Sequence, residues 1–139
     1  MQPFHLAIPV HDLPAARHFY HEVLGCPLGR TDPKWIDFNF FGHQLSVHLK
    51  PEECHLAETN AVDGEQVPVR HFGLVLEWSE WEKLAERIRG LNALFLIAPT
   101  IRFAGKVGEQ GTFFMRDPSG NALEFKTFKD IGSQLFATD

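Results

Sequence analysis

The sequence predicts an α+β fold made of two βαβββ modules. Three observations predict it. A strand-then-helix phrase occurs twice, each occurrence is followed by strand-like runs, and the breaks between runs carry turn residues.

The first strand covers residues 4–10. Phe4, Leu6, Ile8 and Val10 share one face, while His5 and Ala7 fall on the other, the period-two pattern of a strand. Asp12 is a good helix N-cap, with Pro14 in the first turn. Ala16, Phe19, Tyr20, Val23 and Leu24 then recur at helical spacing, and Gly25 provides a stop.

The phrase returns at residues 70–76. His71-Phe72-Gly73-Leu74 matches the order of His5-Leu6-Ala7-Ile8. Ser79 with Glu82 reads as a capping box. Trp81, Leu84, Ala85, Ile88 and Leu91 make the helical stripe, with Gly90 near its end. Strand-like runs follow each helix, at 26–30, 35–41 and 44–50, then at 99–103, 112–116 and 122–128. Residues 41–43 break one hairpin. Asp117-Pro118-Ser119-Gly120-Asn121 breaks the other, with glycine where a positive φ is needed. The chain therefore reads as one domain, 1–139: a first module at about 1–50, a polar linker at 51–68, a second module at about 69–128, and a tail at 129–139.

Composition fits this reading. The 139 residues are 44% hydrophobic and 22% charged, with 13 Phe and 3 Trp, enough apolar material for a core without disulfides. Cys26 and Cys54 fit no zinc or C-x-x-C pattern and are expected as reduced thiols in a cytoplasmic protein. The net charge of −5 and the scatter of basic residues argue against a nucleic-acid partner. No secretory leader and no window of about 18 apolar residues is visible. A small-molecule substrate is the expected partner.

Three polar residues stand out. His5 and His71 occupy the same place in the repeat, each with a small residue two positions on. In the last strand Ala122, Glu124 and Lys126 share one face, and Glu124 lies in a segment otherwise built for burial. A lone carboxylate there is costly unless it is paired or bound to a cation. Two neutral imidazoles and one carboxylate suit Fe(II), Mn(II), Zn(II), Ni(II) or Co(II). His5, His71 and Glu124 are accordingly the expected ligands of one divalent metal ion.

Residues 12–25 and 117–125 resemble the vicinal oxygen chelate superfamily, which unites glyoxalases, bleomycin-resistance proteins and extradiol dioxygenases. The first stretch contains Phe19-Tyr20 and Leu24-Gly25; the second runs from Asp117 to Phe125. The resemblance spans Phe4 to Phe128. It implies that the two modules form a U-shaped open mixed barrel around a metal held by His5, His71 and Glu124, and that the protein is a homodimer, with modules paired within a chain or across chains.

Glyoxalase-like members add a fourth ligand from the last strand of the first module. Counting four from the hairpin glycines gives Glu124 from Gly120 and Ser46 from Gly42, and serine is a poor ligand for these metals. The clear set is thus two His and one carboxylate, the facial triad of Fe(II) oxygenases. The resemblance then implies an extradiol-dioxygenase-like activity, with Fe(II) the expected metal and a substrate chelating through vicinal oxygens. His48, two residues beyond Ser46 on the same face, is the expected acid-base group, with His43 as the other candidate. Ring-cleaving relatives carry a tyrosine before the closing turn, where this chain has Phe114. The alternatives are a glyoxalase-type lyase or isomerase, a thiol transferase resembling fosfomycin-resistance proteins, and a metal-free dimer that sequesters a ligand.

Phe38, Phe40, Phe41, Phe113 and Phe114 are candidates for an apolar pocket, with core the stronger expectation for most. The glycine-rich segment 105–111 follows one strand and enters another, so it reads as a lid or hairpin loop, not a phosphate loop. His11, His18, His21 and His55 are expected at the surface.

Overall fold

A computed structural model describes residues 1–138. The fold is mixed α+β with two four-stranded sheets. The chain divides into two compact units, Met1–Val69 with Asp117–Asn121, and a second formed by residues 70–116 and 122–138.

In the first unit the elements are β1 (His5–Val10), α1 (Leu13–Arg17), β2 (Leu28–Asp32), β3 (Trp35–Phe40) and β4 (His43–Leu49). The sheet order is β1-β4-β3-β2. β1 runs parallel to β4, and the other pairs are antiparallel. The Asp12 carboxylate accepts the Ala15 N–H at 2.8 Å, the cap expected from the sequence. The expected single α-helix changes character midway. Residues His18–Val23 form a π-helix, and Leu24 N–H donates to the Phe19 carbonyl five residues back. Phe19 and Tyr20 are both buried, as their i+3, i+4 spacing from Ala16 already allows in an amphipathic helix. Gly25, at φ 77°, ends the helix as expected.

Tyr20 is fully buried, 5.3 Å from the Phe38 ring. Its hydroxyl donates to Asp117 Oδ2 at 2.8 Å. Asp117 is saturated: Oδ1 accepts the Ser119 and Asn121 N–H groups at 2.9 Å, and Oδ2 also accepts Asn121 Nδ2 at 2.8 Å. Asn121 Nδ2 donates further to the Pro9 carbonyl at 2.8 Å. These bonds make the turn 117–121 part of the first unit.

The stretch expected to be a plain linker has structure of its own. A 3₁₀ turn at Pro51–Glu53 precedes a two-stranded hairpin of β5 (Glu58–Val62) and β6 (Glu65–Val69). Asp63 and Gly64 both have positive φ, 49° and 83°. An Asp-Gly pair favours such a two-residue hairpin turn, a signal overshadowed by the polarity of the segment.

The second unit contains β7 (Phe72–Val75), α2 (Trp78–Gly90), β8 (Ile97–Arg102), β9 (Gln110–Arg116), β10 (Ala122–Phe128) and a short α3 (Ile131–Gln134). Its sheet order is β7-β10-β9-β8, with β7 parallel to β10. This repeats the order and directions of the first sheet, as the recurring phrase predicts. The capping box does not form. α2 begins at Trp78, with Glu77 in the cap position and no side-chain cap bond, so Ser79 lies inside the first turn. Trp81, Leu84, Ala85 and Ile88 are buried as expected, and Trp81 Nε1 donates to the Phe125 carbonyl at 2.9 Å.

Residues 103–109 join β8 to β9, so Gln110 and Gly111 of the glycine-rich segment already belong to β9. The Gly105 N–H donates to the Glu109 carboxylate at 3.0 Å, and the Glu109 carbonyl accepts the Lys129 N–H at 2.9 Å. Among the five candidate pocket phenylalanines, Phe38, Phe40, Phe113 and Phe114 are buried and Phe41 is exposed. Among the described residues, no helix is long and apolar enough to cross a membrane.

Candidate metal centre

His71 immediately precedes β7, and Glu124 lies in β10 opposite Gly73. A Cβ on Gly73 would run into the main chain of Glu124. The missing side chain therefore allows the two strands to lie this close. His71 Nε2 is 3.2 Å from Glu124 Oε1. Thr112 of β9 donates to the other carboxylate oxygen, Oε2, at 2.6 Å. The His71 ring also meets Phe114 edge-on, with centroids 5.1 Å apart. Glu124 thus has one oxygen restrained by Thr112 and the other beside an imidazole nitrogen. Two ligands at about 2.1 Å from one ion and at right angles lie about 3.0 Å apart. The His71–Glu124 spacing fits such a shared cation.

The first unit presents His5 differently. His5 pairs with Gln44 across β1 and β4, and His5 Nδ1 lies 2.9 Å from Gln44 Oε1. Gln44 Nε2 in turn donates to Asp37 Oδ2 at 3.4 Å. Ser46 Oγ donates to Asp37 Oδ1 at 2.5 Å, and Arg30 Nε lies 3.8 Å from Oδ2. Asp37 is buried at 7% exposure, so its charge is held by these groups.

Register establishes the counterpart of Glu124. Ala7 pairs with Ser46 as Gly73 pairs with Glu124. Ser46 is thus the repeat equivalent of the carboxylate, and its hydroxyl is committed to Asp37. His43 is also committed: its Nδ1 accepts the Phe4 N–H at 2.8 Å. His48 lies on exposed β4 surface opposite Trp35, about 6.6 Å along the strand from Ser46.

The structure therefore brings His71 and Glu124 together, while His5 sits in the first unit beside Gln44. Among the described residues, no three His, Cys, Asp or Glu side chains gather as one metal-binding group. Sequence reading missed Thr112, Gln44 and Asp37. Their signal was their face: Asp37 interrupts the apolar Ile36-Asp37-Phe38 run, and Gln44 alternates with buried Leu45.

Paired βαβββ sheets define the class of fold. A family model described as the Glyoxalase/Bleomycin resistance protein/Dioxygenase superfamily matches residues 2–125. The chain belongs to this superfamily. It is 37% identical to a glyoxalase/bleomycin resistance protein/dioxygenase from Alicyclobacillus acidocaldarius, covering 93% of this chain and 92% of that one at a TM-score of 0.76. Lactoylglutathione lyase from Agrobacterium tumefaciens is similar in fold at 20% identity, with 96% and 95% coverage and a TM-score of 0.62. The fosfomycin resistance protein FosX from Listeria monocytogenes is similar at 16% identity, with 91% coverage of both chains and a TM-score of 0.60. A search of curated proteins finds no match.

Proposed function

We propose that this protein is a metal-dependent enzyme acting on a small molecule, and within that class an oxygenase of the extradiol type. The observation that carries the reading is the 3.2 Å approach of His71 Nε2 to Glu124 Oε1, braced by Thr112. His5 is the third ligand we propose. A divalent ion, Fe(II) in this reading, would act as a Lewis acid toward a substrate chelating through vicinal oxygens.

The choice of oxygenase is supported by the serine at the repeat equivalent of Glu124. With its hydroxyl tied to Asp37, Ser46 supplies no fourth ligand, and a set of two imidazoles and one carboxylate leaves positions open. The chain's own residues have distinct tasks. Thr112 holds the Glu124 carboxylate in one orientation. Phe114 keeps water from one side of the His71 ring. His48 is the exposed imidazole that we propose as the proton acceptor from substrate.

One observation favours a second reading, a glyoxalase-type lyase or isomerase. Phe114, packed on His71, offers no hydrogen-bond donor near the proposed ligands, and proton transfer between carbon atoms needs none there.

The deciding experiment loads the protein with Fe(II) without air and presents a catechol. Ring cleavage that begins only when O2 is admitted supports the oxygenase. Turnover of a thiol adduct regardless of oxygen supports the lyase. Purified protein that takes up no divalent metal from a chelator-free solution overturns both in favour of a ligand-sequestering role.

A further inference from the structure

We infer that Asp37, acting through Gln44, sets the tautomer of His5, placing its proton on Nδ1 and leaving the Nε2 lone pair free. Its use in metal capture rests on the reading above; the tautomer itself rests on hydrogen bonding alone.

The chain of inference starts at the buried end. An ionised carboxylate only accepts hydrogen bonds. Asp37 is buried between Ile36 and Phe38, and its Oδ1 is taken by the Ser46 hydroxyl at 2.5 Å. What faces Oδ2 must donate. Gln44 lies 3.4 Å away and therefore turns its Nε2 toward Asp37. That choice leaves no freedom at the other end of the amide, where Oε1 points to His5 Nδ1 at 2.9 Å. A carbonyl oxygen only accepts, so Nδ1 must carry the hydrogen. In a neutral imidazole the other nitrogen then has the lone pair. The negative charge of Asp37 is thus converted, two side chains away, into the readiness of His5 Nε2 to bind a cation. Outer partners of this kind fix ring orientation and ligand basicity.

The second unit reaches the same end by other means, since Thr112 there restrains the carboxylate ligand directly. Asp37 is the cross-strand partner of Ser46, as Phe114 is of Glu124. The buried charge therefore sits where the second sheet has an apolar ring. Gln44 and Asp37 are positioning residues.

The test reads the His5 tautomer by ¹⁵N-detected NMR of the metal-free protein at about pH 8, where imidazole is neutral. Wild type is expected to show the Nδ1–H form. Asp37→Asn releases the Gln44 amide to turn either way, so a mixture of tautomers is expected. The double variant Asp37→Asn/Gln44→Glu reverses the polarity of the pair. Its introduced amide donates to its introduced carboxylate, that carboxylate accepts from His5 Nδ1, and the Nδ1–H form returns. Gln44→Glu alone also holds the Nδ1–H form, because its carboxylate accepts from His5 directly, so Asp37→Asn with Gln44 in place is the variant that reads the relay. Gln44→Leu, at an exposed position, gives a second route to the mixture should Asp37→Asn fail to fold. Wild-type His5 with its proton on Nε2, or an unchanged tautomer in every folded variant, overturns the inference.

Mn(II) titration of the same proteins separates the two layers. A ten- to hundred-fold weaker affinity in Asp37→Asn and Gln44→Leu is expected if His5 is a ligand. Tautomers that shift as described while Mn(II) affinity stays constant overturn the role of His5 as a ligand and leave the tautomer relay standing.

Discussion

At the scale of single residues, Tyr20 makes the most specific claim about stability. Burial, and then the charge of Asp117, push its phenol well above the ordinary value of 10.0. Because the folded-state value is raised, the unfolded chain ionises Tyr20 first as pH rises. The stabilisation is fully present below about pH 10 and is lost above it. Thermal melts should fall more steeply above pH 10 for wild type than for Tyr20→Phe. At neutral pH Tyr20→Phe should cost about 2 kcal/mol, the worth of a buried hydrogen bond to a charged group. Equal alkaline slopes for the two proteins would count against this. Thr127 offers the opposite case. It is fully buried and its Oγ1 has no partner among the described residues, so Thr127→Val should be neutral or stabilise by up to about 1 kcal/mol in urea unfolding. Thr112→Val should cost about 1 kcal/mol, less than Tyr20→Phe because the bond is only part-buried, and weaken Mn(II) binding about tenfold, because it frees the Glu124 carboxylate to rotate.

At the scale of elements, Gly73 is the position with least tolerance. Its Cβ-free backbone faces Glu124 across the β7–β10 pair, so Gly73→Ala must push the strands apart. The expected cost is about 3 kcal/mol in urea unfolding, together with loss of the His71–Glu124 spacing and weaker Mn(II) uptake. The elements also show what the sequence made legible. The recurring His-apolar-small-apolar phrase and the two helical stripes were enough to predict both sheets, because burial imposes their periods. The π-turn at His18–Val23 was hidden, since its bonding differs from an α-helix by one residue per turn while its apolar pattern looks the same. The capping box failed because α2 begins at Trp78, which places Ser79 inside the first turn and not at the cap. Matching positions in the repeat pointed to His5 and His71, and a lone carboxylate in a strand built for burial pointed to Glu124; His71 and Glu124 are adjacent, whereas His5 sits beside Gln44. The relay through Gln44 and Asp37 was not legible, because it depends on cross-strand register, and register appears in sequence only as turn length.

At the scale of the whole molecule, the two sheets share one order, yet their polar faces differ. The first carries a buried carboxylate behind a histidine; the second carries its carboxylate beside one. The two sheets thus share a scaffold and differ in where they hold a carboxylate. The first unit also draws on residues distant in sequence. Tyr20 and Asp117 are 97 positions apart, and His11 and Ser119 are 108 apart. A fragment of residues 1–69 lacks the turn that satisfies Tyr20 and the Pro9 carbonyl. It should show no cooperative thermal transition, whereas the full chain should; a sharp melt for the fragment contradicts the role assigned to the turn.

The turn 117–121 has a further consequence for how the protein is made. A ribosome delivers β1 to β4 early, but the partner of the Tyr20 hydroxyl emerges only 97 residues after Tyr20 itself. Until then the nascent first sheet lacks the native partner of that phenol, and its final closure has to wait for the β9–β10 hairpin.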